Sequence, residues 1–571
     1  MQDLLLSVKK PARYIGTEFN GNHGLKQDVA VKFAICFPGL YEIGMSNLGL
    51  RIIYGLLNSQ QDCLCERFFL PAPDMLGLIK SKKAKFTSLE SGRSLSDFDI
   101  VGFSLQHELD YTNVLHMLEL AGLPFFSRQR HENHPLIIAG GPALANPEPI
   151  ADFFDLFIIG EAEEALLELT AEYKKFPSRL NRKELLARLS KIDGIYVPML
   201  KGRVGFSVRR RFIKDLNSSF FPQDWIVPYI PIVHDKIMLE VMRGCPHSCR
   251  FCQARMFYSP FRIKSKERIV QLGLAAQEKS GYEEISLLGL SSLDHPQIKE
   301  IYSCLTDALR SQCVGVSLGS LRPSSRVLNL LEMTAKIKKV GLTLAIESGS
   351  NWLRQLINKQ IDMDSLKELI QACYSKGLRR IKLYFMFGLP FEREDDLESI
   401  ADIIYELAHI GGRLRKNLLF SVSINPFIPK PHTVFQWHPM DDLKTLDRKK
   451  RFLISAIYKR IKNVKISFHS PGMSYVEALL ARGDRKMSGL IIEAFKRGAL
   501  MDSYGDYFNF DLWQEAEKAA GIDAGSYLYR ETIDEQKLCW DYIDMGYDKE
   551  RLKIEYEDVI KLGRMRPGQG S

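Results

Sequence analysis

Short apolar runs separated by amphipathic stretches organise the chain from residue 31 onward. In the first third these runs fall at 31–37, 99–104, 135–142 and 156–160. Between them lie a helix-like stretch from about 46 to 58, a second through Leu118-Glu-Leu-Ala121 and an acidic one opening at Glu161-Ala-Glu-Glu164. Strands alternating with helices at this spacing predict a doubly wound, Rossmann-like parallel sheet over residues 31–194. Ligands of such sheets sit beyond the carboxyl ends of the strands. Those ends are Pro38-Gly39, Ser104-Leu-Gln106 and Gly140-Gly-Pro142, whose glycines let a ligand approach the backbone closely. Residues 1–30 read as a polar lead-in and 195–236 as a connector.

A second series of runs falls at 237–242, 284–289, 315–319, 341–347, 380–387 and 418–425. Six strands with intervening helices predict an open (β/α)6 barrel over residues 237–440, with its active face at the carboxyl ends of the strands. Residues 441–571 are mainly helical in pattern and carry no metal-ligand spacing. Cys539 in that stretch reads as a small buried residue.

Composition narrows the setting. A chain of 571 residues predicts two to four domains, and 45% hydrophobic with 26% charged residues is the make-up of a soluble globular protein. No apolar run approaches the roughly 20 residues that cross a bilayer. The amino terminus lacks a cationic segment before an apolar core, so no secretion signal is expected. The ten cysteines form no disulfide framework, and a reducing, cytoplasmic location is expected. A net charge of +9 permits RNA or another polyanion as a partner without demanding it. The basic runs Arg209-Arg-Arg211 and Arg448-Lys-Lys-Arg451 read more simply as solvated faces.

The chemistry concentrates in Arg243-Gly-Cys-Pro-His-Ser-Cys-Arg-Phe-Cys252, directly after the first barrel strand. Cys245, Cys249 and Cys252 form a C-x3-C-x2-C run whose soft thiolates suit an iron–sulfur cluster or zinc. A closed structural site takes four protein ligands, and the next cysteines are distant, at 304 and 313. Three ligands leave one iron open to an outside molecule. The competing reading is a zinc knuckle completed by His247 or by a distant ligand.

The run, with Phe251 before its third cysteine, resembles the signature of the radical S-adenosylmethionine (SAM) superfamily. The resemblance implies a [4Fe–4S] cluster whose open iron chelates SAM, reductive cleavage to a 5′-deoxyadenosyl radical, and an electron donor such as flavodoxin or ferredoxin. It also implies SAM-binding positions at the strand ends. Glu347 would accept the ribose hydroxyls, with Ser348 beside it, although a helix-capping glutamate is the plainer reading. Ser291 and Ser292 lie where the family binds the SAM amino group, but Leu-Gly-Leu-Ser-Ser replaces its Gly-Gly-Glu. Gly388-Leu-Pro390 resembles the turn near adenine. Asn425-Pro-Phe-Ile-Pro-Lys-Pro-His-Thr433 resembles the segment that closes the barrel in related enzymes, and Phe435, Trp437 and His438 follow it.

The first third resembles the cobalamin-binding domain of one radical SAM subclass. In histidine-ligating cobalamin domains D-x-H-x-x-G follows the first strand; here the run is Gly39-Leu-Tyr-Glu-Ile-Gly44, with Gly39 for Asp and Tyr41 for His. Either cobalamin binds without a protein ligand, through Gly39, Tyr41, Gly44, Ser104, Gln106, Gly140 and Gly141, or the domain keeps the shape and lacks the cofactor. His107 reads as a packed loop histidine. The whole-chain expectation is a radical SAM enzyme acting on a small molecule or RNA, with cobalamin-dependent methyl transfer as one outcome. The alternative is a non-catalytic cobalamin or nucleotide sensor, or a scaffold, with a structural metal site.

Overall fold

A computed structural model of the chain describes residues 2–22, 26, 28–176, 181–202, 206–319, 322, 342–375, 380–410, 419–461, 464–534 and 537–566. The first sheet has six strands in the order β2-β1-β3-β4-β5-β6. They are β1 (Val31–Phe37), β2 (Cys63–Phe69), β3 (Ile100–Ser104), β4 (Leu136–Gly140), β5 (Leu156–Ile158) and β6 (Ile195–Tyr196). The first five are parallel, and β6 closes the edge antiparallel to β5. The sheet therefore runs past the expected limit at 194 and takes its last strand from the connector.

Strand β2 escapes the apolar pattern because Glu66 and Arg67 stand at its centre. Both are fully buried. Arg67 pairs with Glu18 at 2.8 Å and Glu90 at 2.6 Å, and Glu66 pairs with Arg93 at 2.7 Å. Two charges thus sit inside the sheet because each meets an opposite charge there.

The barrel strands are β7 (Ile237–Glu240), β8 (Glu284–Leu288), β9 (Gly315–Leu318), β10 (Leu342–Glu347), β11 (Arg380–Phe387), β12 (Leu419–Pro426) and β13 (Val464–Phe468). They form two all-parallel sheets, β9-β8-β7 and β10-β11-β12-β13. The expected limit at 440 falls inside this architecture, since helix Leu443–Arg460 crosses from β12 to β13. β13 is a five-residue edge strand with alternate positions in water, so its apolar signal is weak. Gly341 and Leu418, which open two of the expected runs, lie outside the described residues, as do the last five residues.

The carboxy-terminal stretch is mainly helical, and it supplies β13 to the barrel. Ile543–Asp544 pairs in parallel with Val208–Arg209 of the connector. Neither basic run is a free charged face. Arg210 is buried and donates to the carbonyls of Met545 and Ser259, and Arg211 pairs with Glu164 and Glu168. Lys449 sits between Glu392 and Asp441, and Arg448 pairs with Glu394. No described helix is long and apolar enough to cross a membrane.

Candidate functional site: a cysteine loop beside an interdomain cavity

The backbone leaves β7 through Met242–Arg243, which pairs with Arg262–Ile263, and reaches Gly244 at φ +82°. A Cβ there would lie 2.5 Å from the Pro260 carbonyl oxygen, so glycine alone lets the chain turn into Cys245. Helix α3 (Gln253–Phe257) begins directly after Cys252; α1 (Leu48–Ser59) and α2 (Glu163–Lys174) belong to the first domain.

Four outside elements grip the loop. Asn358 donates to the carbonyl and hydroxyl of Ser248 at 3.0 and 2.8 Å. The Arg250 amide donates to Ile357 at 3.0 Å and its guanidinium to Leu356 at 2.6 Å, just after helix α4 (Asn351–Leu356) opens the segment. Arg250 also pairs with Glu555 of the terminal helix at 2.9 Å, and Gln253 donates to Pro431 at 3.3 Å. On the barrel side His247 meets the Asp294 carboxylate at 2.7 Å, and Ser291 donates to the same oxygen at 2.6 Å.

The three thiols remain partly accessible and unbridged. Burial pushes each above its ordinary value, and each is raised further by a neighbouring thiol of the run. Opposing cations stand nearby: Lys359 acts on Cys249 and Cys252, and Arg322 on Cys245 and Cys249. Lys359 also lies over the Phe251 ring at 5.9 Å and pairs with Glu347 at 2.5 Å. Glu347 ends β10 at φ +71° on a bulge, which aims its carboxylate at the cysteine loop. The donor set fits a polynuclear cluster better than zinc. His247 is engaged with Asp294, and Cys304 and Cys313 are exposed.

The remaining strand-end residues divide. Ser292 is buried with its hydroxyl unpartnered. Ser348 is buried in the turn before α4, where its carbonyl accepts from Arg354. Gly388, at φ +79°, donates its amide to Glu392 at 2.6 Å and faces Asp441 and Leu446. No described contact joins Ser348 or Gly388 to the cysteine loop. His438 packs against Phe435 and Tyr556, and Trp437 against Tyr556, in a buried aromatic group.

A cavity of about 460 Å³ separates the first sheet from β7 and β8. Its apolar walls come from the sheet (Phe33, Ile35, Ile138, Ile158), from α1 (Ile52, Ile53) and from Leu166 of α2. Ser104, Gln106, Gly140 and Gly141 line it. A Cβ on Gly140 would meet nothing closer than the Ile158 oxygen at 4.0 Å, so this glycine leaves open space in the wall. Gly39, Tyr41 and Gly44 lie elsewhere. Tyr41 is buried and donates to Glu18 at 2.7 Å, Gly44 is pressed on the Phe69 ring, and Tyr504 covers the turn by accepting from Leu40 at 3.2 Å. That first turn lies off the cavity lining, with Tyr504 of the carboxy-terminal stretch against it.

Six charges join cavity to loop. Arg243 contacts Glu161, Glu163 and Glu240, each at 3.0 Å, while Arg262 takes Glu161 at 2.6 Å and Lys264 takes Glu240 at 2.7 Å. Three cations meet three carboxylates. Burial opposes the charge on Glu240, yet Arg243 and Lys264 outweigh it and hold this acid down to about 2. Sequence reading missed Arg243, Lys359 and Asp294, because nothing local marks a charge whose partner lies in another element. His107 is partly exposed, with its Nε2 3.3 Å from Glu477. Lys430 completes this group, 2.7 Å from Glu108 and 2.9 Å from Glu477.

Comparison with known proteins places the geometry. Residues 239–404 match the family described as the radical SAM superfamily, and residues 49–198 match the one described as radical SAM proteins, N-terminal. The chain belongs to the radical SAM superfamily. An uncharacterized protein of Methanocaldococcus jannaschii is 27% identical over 84% of this chain and 97% of its own length. The anaerobic magnesium-protoporphyrin IX monomethyl ester cyclase of Rubrivivax gelatinosus is 21% identical over 44% of each chain. Among solved structures, the cobalamin-dependent SAM radical enzyme OxsB, with aqua-cobalamin and SAM bound, aligns at a TM-score of 0.49 and 14% identity over 94% of this chain and 80% of its own.

Proposed function

We propose that this radical SAM protein is an enzyme that holds a [4Fe–4S] cluster on Cys245, Cys249 and Cys252, cleaves SAM reductively, and binds cobalamin in the interdomain cavity. The observation that carries the reading is a three-thiol loop without a fourth protein ligand among the described residues, facing Glu347 and Lys359 at the mouth of the barrel. When bound, the cluster and SAM supply a 5′-deoxyadenosyl radical, and cobalamin supplies methyl transfer.

The chain's own groups have definable tasks. Lys359 and Arg322 offset negative charge on the thiolates. Glu347 accepts the ribose hydroxyls of SAM, and its pairing with Lys359 fixes the carboxylate in place beforehand. Asp294, oriented by His247 and Ser291, takes the place of the missing Gly-Gly-Glu carboxylate and receives the SAM ammonium. Gly140 and the apolar walls give a corrinoid room and exclude water. An external flavodoxin or ferredoxin supplies the electron, and a reducing cytoplasm protects the cluster. Because the two basic runs are largely paired internally, a small-molecule substrate fits better than RNA.

The test is spectroscopic. Anaerobically reconstituted protein should bind four irons per chain, and SAM should perturb the electron paramagnetic resonance spectrum of the reduced cluster. Hydroxocobalamin should remain with the protein through desalting. A spectrum unmoved by SAM would favour a structural metal site and the scaffold reading.

A further inference from the structure

We propose that His234 is an axial ligand to the cobalt of a corrinoid seated in the interdomain cavity. This rests on the reading that the cavity takes cobalamin. The first turn of the sheet, where a histidine ligand is absent from the sequence, is also closed in space: Tyr41 points to Glu18, and Tyr504 covers Leu40. A protein ligand, if the chain supplies one, must enter from another element.

The connector supplies it. Among the described residues lining the cavity, His234 is the single imidazole, and no cysteine joins it. Its backbone amide donates to the Ser46 hydroxyl at 2.9 Å, and that hydroxyl donates to the Glu42 carbonyl at 2.7 Å. This chain of bonds holds the residue against the turn that opens α1, whose Ser46 and Asn47 line the same cavity. No described hydrogen bond or ion pair involves the His234 ring. His234 is exposed where the connector borders the cavity, so its ring is open to a ligand there, and neutral imidazole is a metal donor. Histidine in this state is a common metal ligand, whereas the other soft donors in the wall are the thioethers of Met238 and Met242.

The test reads cobalt directly. Protein loaded with cob(II)alamin should show cobalt resonance lines split into triplets by one axial nitrogen. In protein grown on histidine labelled with the heavy nitrogen isotope, the triplets should become doublets, which separates an imidazole of the chain from the cofactor's own base. His234→Ala should lose this label-dependent splitting while still retaining corrinoid through desalting. Retained corrinoid whose splitting responds to neither label nor substitution overturns the ligand assignment alone. Failure of the wild-type protein to retain corrinoid overturns the assignment together with the cobalamin reading.

Discussion

The cysteine loop takes its three thiols from the short stretch between Cys245 and Cys252, whereas the neighbouring cavity draws its wall from β1, β3, β4, β5, three helices, the connector and the first two barrel strands. The loop is polar and gripped from outside by Asn358, Leu356, Ile357, Glu555, Pro431 and Asp294. The cavity is mostly apolar and shaped by what its wall leaves out, notably a side chain at residue 140. A site that must hold a metal cluster concentrates donors locally and imports rigidity. A site that receives a large cofactor needs space between two folded bodies, and only tertiary structure makes it. Arg243 joins the two, since it precedes the loop and lines the cavity.

The sharpest way to break the comparison is to damage each region separately. Cys249→Ala should abolish iron incorporation while corrinoid still binds, and Gly140→Leu should do the reverse by filling the open space. Iron and corrinoid contents of both variants check this; joint loss in either variant would mean that the sites are not independent. Next comes the bridge. Arg243→Met strands Glu163 in a buried setting and leaves Glu161 and Glu240 with one cation each, so denaturant unfolding should show a loss of about 3–5 kcal/mol. A loss near zero would show that the domains dock without it.

Smaller effects sharpen the account. Glu347→Gln removes a charged acceptor and should weaken SAM binding roughly 10- to 100-fold, matching about 1.5–3 kcal/mol for a charged hydrogen bond. Equilibrium dialysis reads it, with iron content as the control. The smallest effect distinguishes two buried acid sets by pH. Burial raises Asp110 and Asp502 to about 6 from 3.8. They join the first domain to the carboxy-terminal stretch through Ser503 and Thr112. The folded state keeps their protons where the unfolded chain has lost them, so their contribution grows as pH falls from about 6 toward 4, by about 2 kcal/mol each. Glu240, held at about 2, behaves oppositely: its contribution is present above its unfolded value and is lost only in stronger acid. Asp502→Asn should flatten the first slope in thermal unfolding and leave the second.

Much of this was legible in the sequence for a physical reason. Strands buried on both faces announce themselves as apolar runs, so β1, β3, β4, β5 and six barrel strands fall close to where the pattern puts them. The pattern failed at β2, where Glu66 and Arg67 are buried by distant partners, and at β13, whose alternate positions face water. The cysteine run was legible because cluster ligands come close together in sequence. Lys359 and Asp294 were not, because each acquires meaning only through Glu347 and His247 across the barrel mouth. The motif logic also placed Gly39, Tyr41 and Gly44 at a ligand, while the fold closed that turn with Tyr504, more than four hundred residues away.

The measurement closest to the central claim is product formation by the reconstituted, oxygen-free protein given SAM, dithionite and hydroxocobalamin. The account predicts 5′-deoxyadenosine from the wild-type protein and none from Cys249→Ala. A fully iron-loaded wild type that yields no 5′-deoxyadenosine, or a Cys249→Ala variant that still makes it, would contradict the assignment of these three cysteines to a SAM-cleaving cluster.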